Sequence, residues 1–281
     1  MVRLQRSLLA ADSGSLPRWG ADGIYGAETT AAVSAWIEHH PSWHGAALDE
    51  LRPRLVRAIL GIVEGCDISG YQVAAGLDWA AAREAGLGFA FVKISEGRRA
   101  TQSAVHHVVR ARAAAPEICL GGYAYGRVGS PPRAQAVVAA DAALELELPV
   151  LALDLEDWAQ GVSARQTIAW ALAWAAVVEA RMGRPPVLYV QPSYHRYRLA
   201  GGADLARLPL WHAGGWRGEG LPSALDVPTR LTPPWPRVSV WQVMGNRGRV
   251  PWYRGGRGAI DRDVYLGTEA ELRAFWRAED H

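Results

Sequence analysis

The sequence predicts an α/β fold: an irregular (β/α) barrel with about five βα units and extra C-terminal strands, preceded by a small all-helical domain. Three observations predict it. After residue 63, short apolar segments alternate with helical periodicity four or five times, the pattern of a parallel sheet. Those segments are apolar on both faces, so both faces need cover. The last third has strand-like segments with little helix between them. A doubly wound sheet also satisfies the alternation, but the helix-poor end argues for a closed barrel whose last third is irregular.

The elements follow in chain order. Leu4, Leu8 and Leu9 have helical spacing. A loop rich in turn residues (Gly14, Pro17, Gly20, Asp22, Gly23, Gly26) leads to a helix over 28–39, with Ala31, Ala32, Ala35 and Trp36 on one side. Residues 46–63 read as an amphipathic helix, with Leu48, Leu51, Leu55, Ile59 and Leu60 recurring at three and four. Pro53 suits a start or a break in that helix. A helical head at residues 1–62 and a body at 63–281 result. In the body, EGCDIS is the first strand, and Asp78 caps a helix closed by Gly86. FAFVKISEG is strand-like, followed by a helix over 103–115. CLGGYAYG precedes a helix opening on Pro131 and Pro132. PVLALDLE precedes a helix from Ser163 to Met182, ended by Gly183. PVLYV, LPLWHAGGW, VSVWQV and AIDRDVYL are strand-like, and a capping box from Thr268 to Glu271 opens the last helix.

Composition narrows the chemistry. Net charge is +2, from 30 basic and 28 acidic residues, so nucleic acid is not an expected partner. Lys93 is the only lysine. Two cysteines, Cys66 and Cys119, do not make a disulfide framework and read as small buried apolar residues. No run approaches the roughly 18 apolar residues of a membrane span, so no stable membrane association is expected. The opening apolar stretch is too short and interrupted for a secretory signal, so synthesis in the cytoplasm is expected. No GxGxxG or P-loop follows a strand, and no cofactor is expected. His39–His40 and His106–His107 lie on helical segments where neighbours point apart, so no metal is expected either.

The stretch 149–158, PVLALDLEDW, sets two carboxylates in an apolar strand. Alternate strand residues share a face. Val150, Ala152, Asp154 and Glu156 then face one way, and Leu151, Leu153 and Leu155 the other. The leucines suit a helix-covered face, and the acids end at the C-terminal mouth, where the βα loops open. EGCDIS places Asp67, and FVKISEG places Glu96, at the same end of their strands. Four converging carboxylates raise the pKa of at least one, which supplies the neutral acid that glycosidic cleavage needs. Lys93 and Glu96 have opposite parity and share a face only if their strand bulges.

These segments resemble, in order over residues 64–281, the motifs of family 25 glycoside hydrolases, the muramidases of cell-wall lysis. GCDISGYQ is similar to GIDVSxxQ, FAFVKISEG to FxFIKATEG, GGYAYG to GxYHF and PVLALDLED to PxxLDxE. LYVQPSY resembles IYTxxSF, LPLWHAGG resembles LWIAxY, VSVWQV resembles the WQY strand, and AIDRDVYLG resembles VDLNxFxG. The resemblance implies that Glu156 is the proton donor and Asp154 its partner, holding the substrate's N-acetyl group or a water. Asp67, Glu96 and Asp261 match the other acids of the subsite. Tyr123, Tyr125, Tyr189, Trp211, Trp241 and Gln242 match groove positions. Ala124 replaces the common His, and WHAGG lacks the aromatic after Ala. In the head, ADGIYGAETTAAVSAW resembles the DGxxGxxTxxAVxxFQ signature of small peptidoglycan-binding domains, with Ile37 in place of Gln. Asp22, Gly23, Tyr25, Gly26 and Trp36 are its wall-binding candidates. The implied protein is a monomeric endolysin-type N-acetylmuramidase acting on bacterial peptidoglycan, released through a phage holin. A wall-binding protein with an inactive barrel, and a barrel acting on another polysaccharide, are the alternatives. Retention through an enzyme nucleophile, retention through the substrate's acetamido group, and inversion all remain compatible with the sequence.

Overall fold

Strand β1 (Ile62–Ile68) is hydrogen bonded on both sides, and this closes the sheet. The computed structural model describes residues 1–44, 53–214, 221–227, 234–248, 250–255 and 259–277. The remaining strands are β2 (Leu87–Glu96), β3 (Arg99–Ala100), β4 (Cys119–Tyr125), β5 (Leu151–Asp154), β6 (Val187–Val190), β7 (Leu210–Ala213), β8 (Val240–Gly248) and β9 (Ile260–Leu266). Their order is β1-β9-β8-β7-β6-β5-β4-β2-β3, and β1 also pairs with β2. Eight strands therefore form a closed ring, with the two-residue β3 beside it. Within the ring, neighbours from β1 through β8 run parallel, whereas β9 is antiparallel to both β1 and β8, and β3 is antiparallel to β2.

The alternation of residues decides what each face meets. Leu151, Leu153 and Leu155 lie in the outer layer, under α4 (Trp79–Glu84), α5 (Ser103–Ala114), α6 (Pro132–Glu145) and α7 (Ala164–Met182). Val150 and Ala152 face inward with Val63, Phe89, Phe91, Tyr189 and Trp211. The local signals hold: Asp78 caps α4 by accepting from Ala81 N at 3.0 Å, and Ser163 and Gln166 form a capping box on α7. Gly183 ends α7 at φ 74°, a backbone state that glycine adopts without a Cβ clash. A Cβ on Gly65 would stand 2.2 Å from the Phe89 ring, so the aromatic filling of the barrel depends on that glycine.

After β6 the chain makes a short turn, α8 (Pro192–Tyr194), continued by a π-helical turn to Leu199. The last helix, α9 (Glu269–Arg277), folds across the bottom of the barrel. Its Trp276 ring lies 5.5 Å from Phe89 and 5.3 Å from Phe91, and its indole donates to Leu120 O at 2.9 Å. The bottom is thus closed, and the C-terminal mouth is the open end.

The head contains α1 (Val2–Ala11), α2 (Ala27–Glu38) and α3 (Pro53–Leu60). Leu4, Leu8, Leu16, Ala32, Val33, Ile37, Leu55 and Ile59 form a small core of their own. Of the helix predicted over 46–63, the described part is α3, Pro53–Leu60. Leu48 and Leu51 lie outside the described residues. Chain direction turns at Gly61 (φ 68°), and Ile62 is already β1, so the strand takes in the last residue assigned to the head. Arg57 of α3 and Arg262 of β9 both pair with Glu64 of β1, whose side chain is 4% exposed. Arg54 also donates to Glu269 Oε1 at 2.8 Å, at the start of α9. The head is therefore fastened to the barrel at the end opposite the mouth. Cys66 is buried, Cys119 half-buried, and both thiols are free.

Candidate active site

Each strand ending at the mouth contributes its last inward residue. Asp154 is in register with Tyr125 on one side and Tyr189 on the other. Asp67 is in register with Asp261, which the reversed β9 brings to the mouth near its own start. Asp67 and Asp154 are each 8% exposed. Glu156 lies two residues beyond β5 and is half-buried, with Gln191 Nε2 donating to its Oε2. A chain of hydrogen bonds joins the walls: Tyr189 O–H donates to Gln242 Oε1 at 2.9 Å, and Gln242 Nε2 donates to Asp67 Oδ2 at 2.7 Å. Trp211 Nε1 donates to Asp263 Oδ1 at 2.8 Å. Among the described residues, Asp154 Oδ1 is buried without a hydrogen-bond partner.

Burial under like charge controls the titration here. Burial, then the Asp261 charge, pushes Asp67 from 3.8 up to about 8. Burial, then the charge on Glu156, holds Asp154 well above the ordinary carboxylate range. Glu156 is raised by burial, with Gln191 working against the rise. The site therefore keeps acids protonated where ordinary carboxyls would be ionised, the condition for a general acid near neutral pH.

Glu96 is different. The ladder between β2 and β4 shifts register between Lys93 and Ser95, the bulge that their parity demanded. Lys93 Nζ donates to Glu96 Oε2 at 2.7 Å, and Arg127 takes the other oxygen. Those partners, Lys93 foremost, hold Glu96 below its ordinary value, and its side chain is 40% exposed. It is an ionised rim residue and not one of the raised acids. Lys93 and Arg127 also lie 5.0 and 4.7 Å from the Tyr125 ring centre. Burial moves that phenol up to about 12.

Of the groove candidates, Tyr123, Tyr189, Trp211 and Gln242 face inward, as does Tyr125 at the rim. Trp211 is deep, stacked on Phe91 at 4.5 Å, and forms floor more than groove. Trp241 departs from expectation. It is 1% exposed, belongs to the outer layer, and donates its indole N–H to Gly214 O at 2.7 Å. Adjacent residues of a regular strand face opposite ways, so Gln242 takes the inward place and Trp241 cannot.

In the head, Asp22 accepts from Gln5 Nε2 at 2.8 Å and from Ile24 N at 2.9 Å. Gly23 donates its N–H to Gln5 Oε1 at 2.8 Å and stands at φ 86°. These two, with the buried Gln5, fasten the loop. Gly26 caps α2, and Trp36 stacks on His40 at 3.7 Å. Tyr25 is exposed beside the exposed Ile24. Gln191 and Asp263 were missed in the sequence. Asp263 has the inward parity of Asp261, so alternation alone could have found it.

A barrel with a closed floor and a carboxylate pair at the end of one strand, backed by protonated neighbours, defines a carboxylate glycosidase. The profile described as glycosyl hydrolases family 25 matches residues 66–243, and the chain belongs to that family. It is a glycoside hydrolase. The bacterial lysozyme from Streptomyces coelicolor is 23% identical, with a TM-score of 0.63 over 78% of this chain and 98% of that one. The muramidase from Trichobolus zukalii is 22% identical, with a TM-score of 0.61 over 77% and 99%. The CTP1L endolysin is 20% identical, with a TM-score of 0.56 over 78% and 70%. These likenesses concern the fold. No curated protein sequence matches the chain.

Proposed function

We propose that this chain is an N-acetylmuramidase that hydrolyses the β-1,4 bond between N-acetylmuramic acid and N-acetylglucosamine in bacterial peptidoglycan, in endolysin-type cell lysis. The observation that carries the reading is the Asp154–Glu156 pair at the end of β5, with Asp154 buried and Glu156 reaching the open mouth. Glu156 protonates the leaving glycosidic oxygen, and Gln191 fixes its orientation. Asp154 lies deeper and orients the substrate's 2-acetamido group or the attacking water. Tyr125 and Tyr189, on the strands either side, shape the sugar site. Family membership and the structural neighbours named lysozyme, muramidase and endolysin support the substrate. Mass spectrometry of the ends released from purified peptidoglycan tests it. New reducing-end muramic acid is expected; reducing-end glucosamine, or no release, refutes it.

The head is part of the same proposal. Residues 1–62 hold the wall while the barrel cuts it, which raises the local substrate concentration without entering the chemistry. Trp19, Ile24 and Tyr25 are exposed on a loop fastened by Gln5 and by Glu28, which accepts from Arg18 N at 2.6 Å. The triple variant Trp19→Ala, Ile24→Ser, Tyr25→Ala in the full chain should stop sedimenting with insoluble peptidoglycan yet cleave soluble glycan fragments normally. Unchanged sedimentation removes the head from wall binding.

A further inference from the structure

Asp263 lies one layer below Asp67, in register with Gly65 on β1 and Gln242 on β8. Its side chain has no solvent exposure. Trp211 Nε1 supplies the donor for Oδ1 at 2.8 Å. Among the described residues Oδ2 meets no donor, and Asp67 is its diagonal neighbour on the same face of the β1–β9 pair, where each acid acts on the other. The Oδ2 of Asp67 is already engaged by Gln242 Nε2 at 2.7 Å. The charged groups acting on Asp263 are Asp67 and Asp261, and neither is a cation.

Two ionised carboxylates only accept, so they cannot bond to each other, and a buried carboxylate without a donor is costly. A proton between them removes both difficulties. Its place follows from the partners. Trp211 marks Oδ1 of Asp263 as the accepting oxygen, which leaves Oδ2 to carry hydrogen. Asp67 receives Gln242 on one oxygen and is open to a second donor on the other. We propose that Asp263 is a positioning residue that stays protonated through the working range, its Oδ2–H donating to Asp67, so that Asp67 alone of the pair ionises and does so in a fixed orientation. Burial and the neighbouring Asp67 both push Asp263 upward, in agreement. The other titratable groups around the pair are Cys66 on β1, Asp261 on β9, and Asp154 and Glu156 across the mouth. Tyr123 and Tyr189 face it from β4 and β6. Lys93 acts on Asp154 and Glu156 from β2. Asp263 thus serves as a neutral hydrogen-bond donor although it is an acid, a role known for carboxyls in apolar sites.

The test uses the full chain with Asp263→Asn, which keeps a donor, and Asp263→Leu, which does not. Infrared difference spectra of the wild type, taken a unit above the value of about 8 at which Asp67 ionises, should retain a protonated-carboxyl band that Asp263→Asn lacks. Carboxyl carbon resonances should show Asp67 titrating in Asp263→Asn within about half a unit of the wild type, with hydrolysis within about threefold. In Asp263→Leu the Asp67 titration should move upward and hydrolysis fall roughly tenfold or more, the scale of one lost hydrogen bond to a charged group. Absence of the protonated band overturns the proposal. So does a downward move of Asp67 by a unit or more in Asp263→Asn, because that is the signature of removing a buried negative charge. If Asp263→Leu does not fold, the wild type and Asp263→Asn decide alone. The roles in hydrolysis rest on the muramidase reading, but the spectra do not: an inactive wild type would end that reading and leave the proton on Asp263 still measured.

Discussion

Replacing Glu156 by Gln removes one dissociable proton and almost nothing else. The side chain keeps its length, and its amide oxygen can accept from Gln191 Nε2 as Glu156 Oε2 does. Loss of a general acid costs about 100- to 10,000-fold, or ~2.7 to 5.4 kcal/mol of barrier at ~1.36 kcal/mol per decade. The structure puts the loss in the upper part of that range. Of the other raised acids, Asp67 and Asp154 are nearly closed off and Asp263 fully so, and of these acids only Glu156 extends past its strand into the mouth. Stability should not fall. Burial raises Glu156, so its ionisation is easier in the unfolded chain, and above its ordinary value of 4.5 the carboxyl works against folding. Gln removes that burden, so the melting temperature should stay level or rise. Dye release from insoluble peptidoglycan and calorimetry on the same preparation make the measurement. A folded variant within about threefold of wild-type lysis would refute the assignment of Glu156 as proton donor. A fall in melting temperature would show that its ionised form holds the fold, contrary to the sign that its burial requires.

Asp67 gives a stability prediction with a pH window. Its value rises from 3.8 in the unfolded chain to about 8 in the fold, so its contribution is full below 3.8 and is lost as pH climbs through about 8. The melting temperature of the wild type should therefore fall over that span more steeply than that of Asp67→Asn; parallel curves would refute the buried acid. Asp154→Asn should shift the limbs of the pH–rate profile as well as lower the rate, because Asp154 and Glu156 act on each other through space. Unmoved limbs would separate the two acids. Glu64→Ala leaves Arg57 and Arg262 facing each other without their shared carboxylate. A cost of about 3–5 kcal/mol and roughly 10 °C in melting temperature is expected; a change under ~1 kcal/mol would mean that the head is not fastened there.

The mouth was legible because alternation is a local property. Once residues 150–156 are a strand, Asp154 must share a face with Val150 and Ala152, whatever the rest of the chain does. The bulge in β2 was legible for the same reason: Lys93 and Glu96 could not meet without it. Trp241 and Gln242 cannot both line the groove, because neighbours in a strand face opposite ways, and Trp241 takes the outer layer. Closure of the barrel was less accessible. It depends on β9 entering between β1 and β8, and pairing of β9 with a strand at the far end of the barrel's sequence leaves no local trace in VSVWQV or AIDRDVYL. Gln5 was invisible as the anchor of the Asp22–Gly23 loop, because its partners lie 17 to 24 residues away. Gln191 sits just past β6 as Glu156 sits just past β5. Its role emerges only when the two strands are seen to be neighbours.

The reversed course of β9 gives the two ends of one strand opposite duties. In the strands that run the other way, the chain arrives from the floor and leaves at the chemistry. On β9 it arrives at the chemistry, passes Asp261 and Asp263, and leaves at Leu266 for the helix that stoppers the base. A change in the segment leading into β9 is thus a change to the reaction, and one in the segment leading out is a change to the foundation. The seven residues of β9 thus join the acids at the rim to the helix at the base.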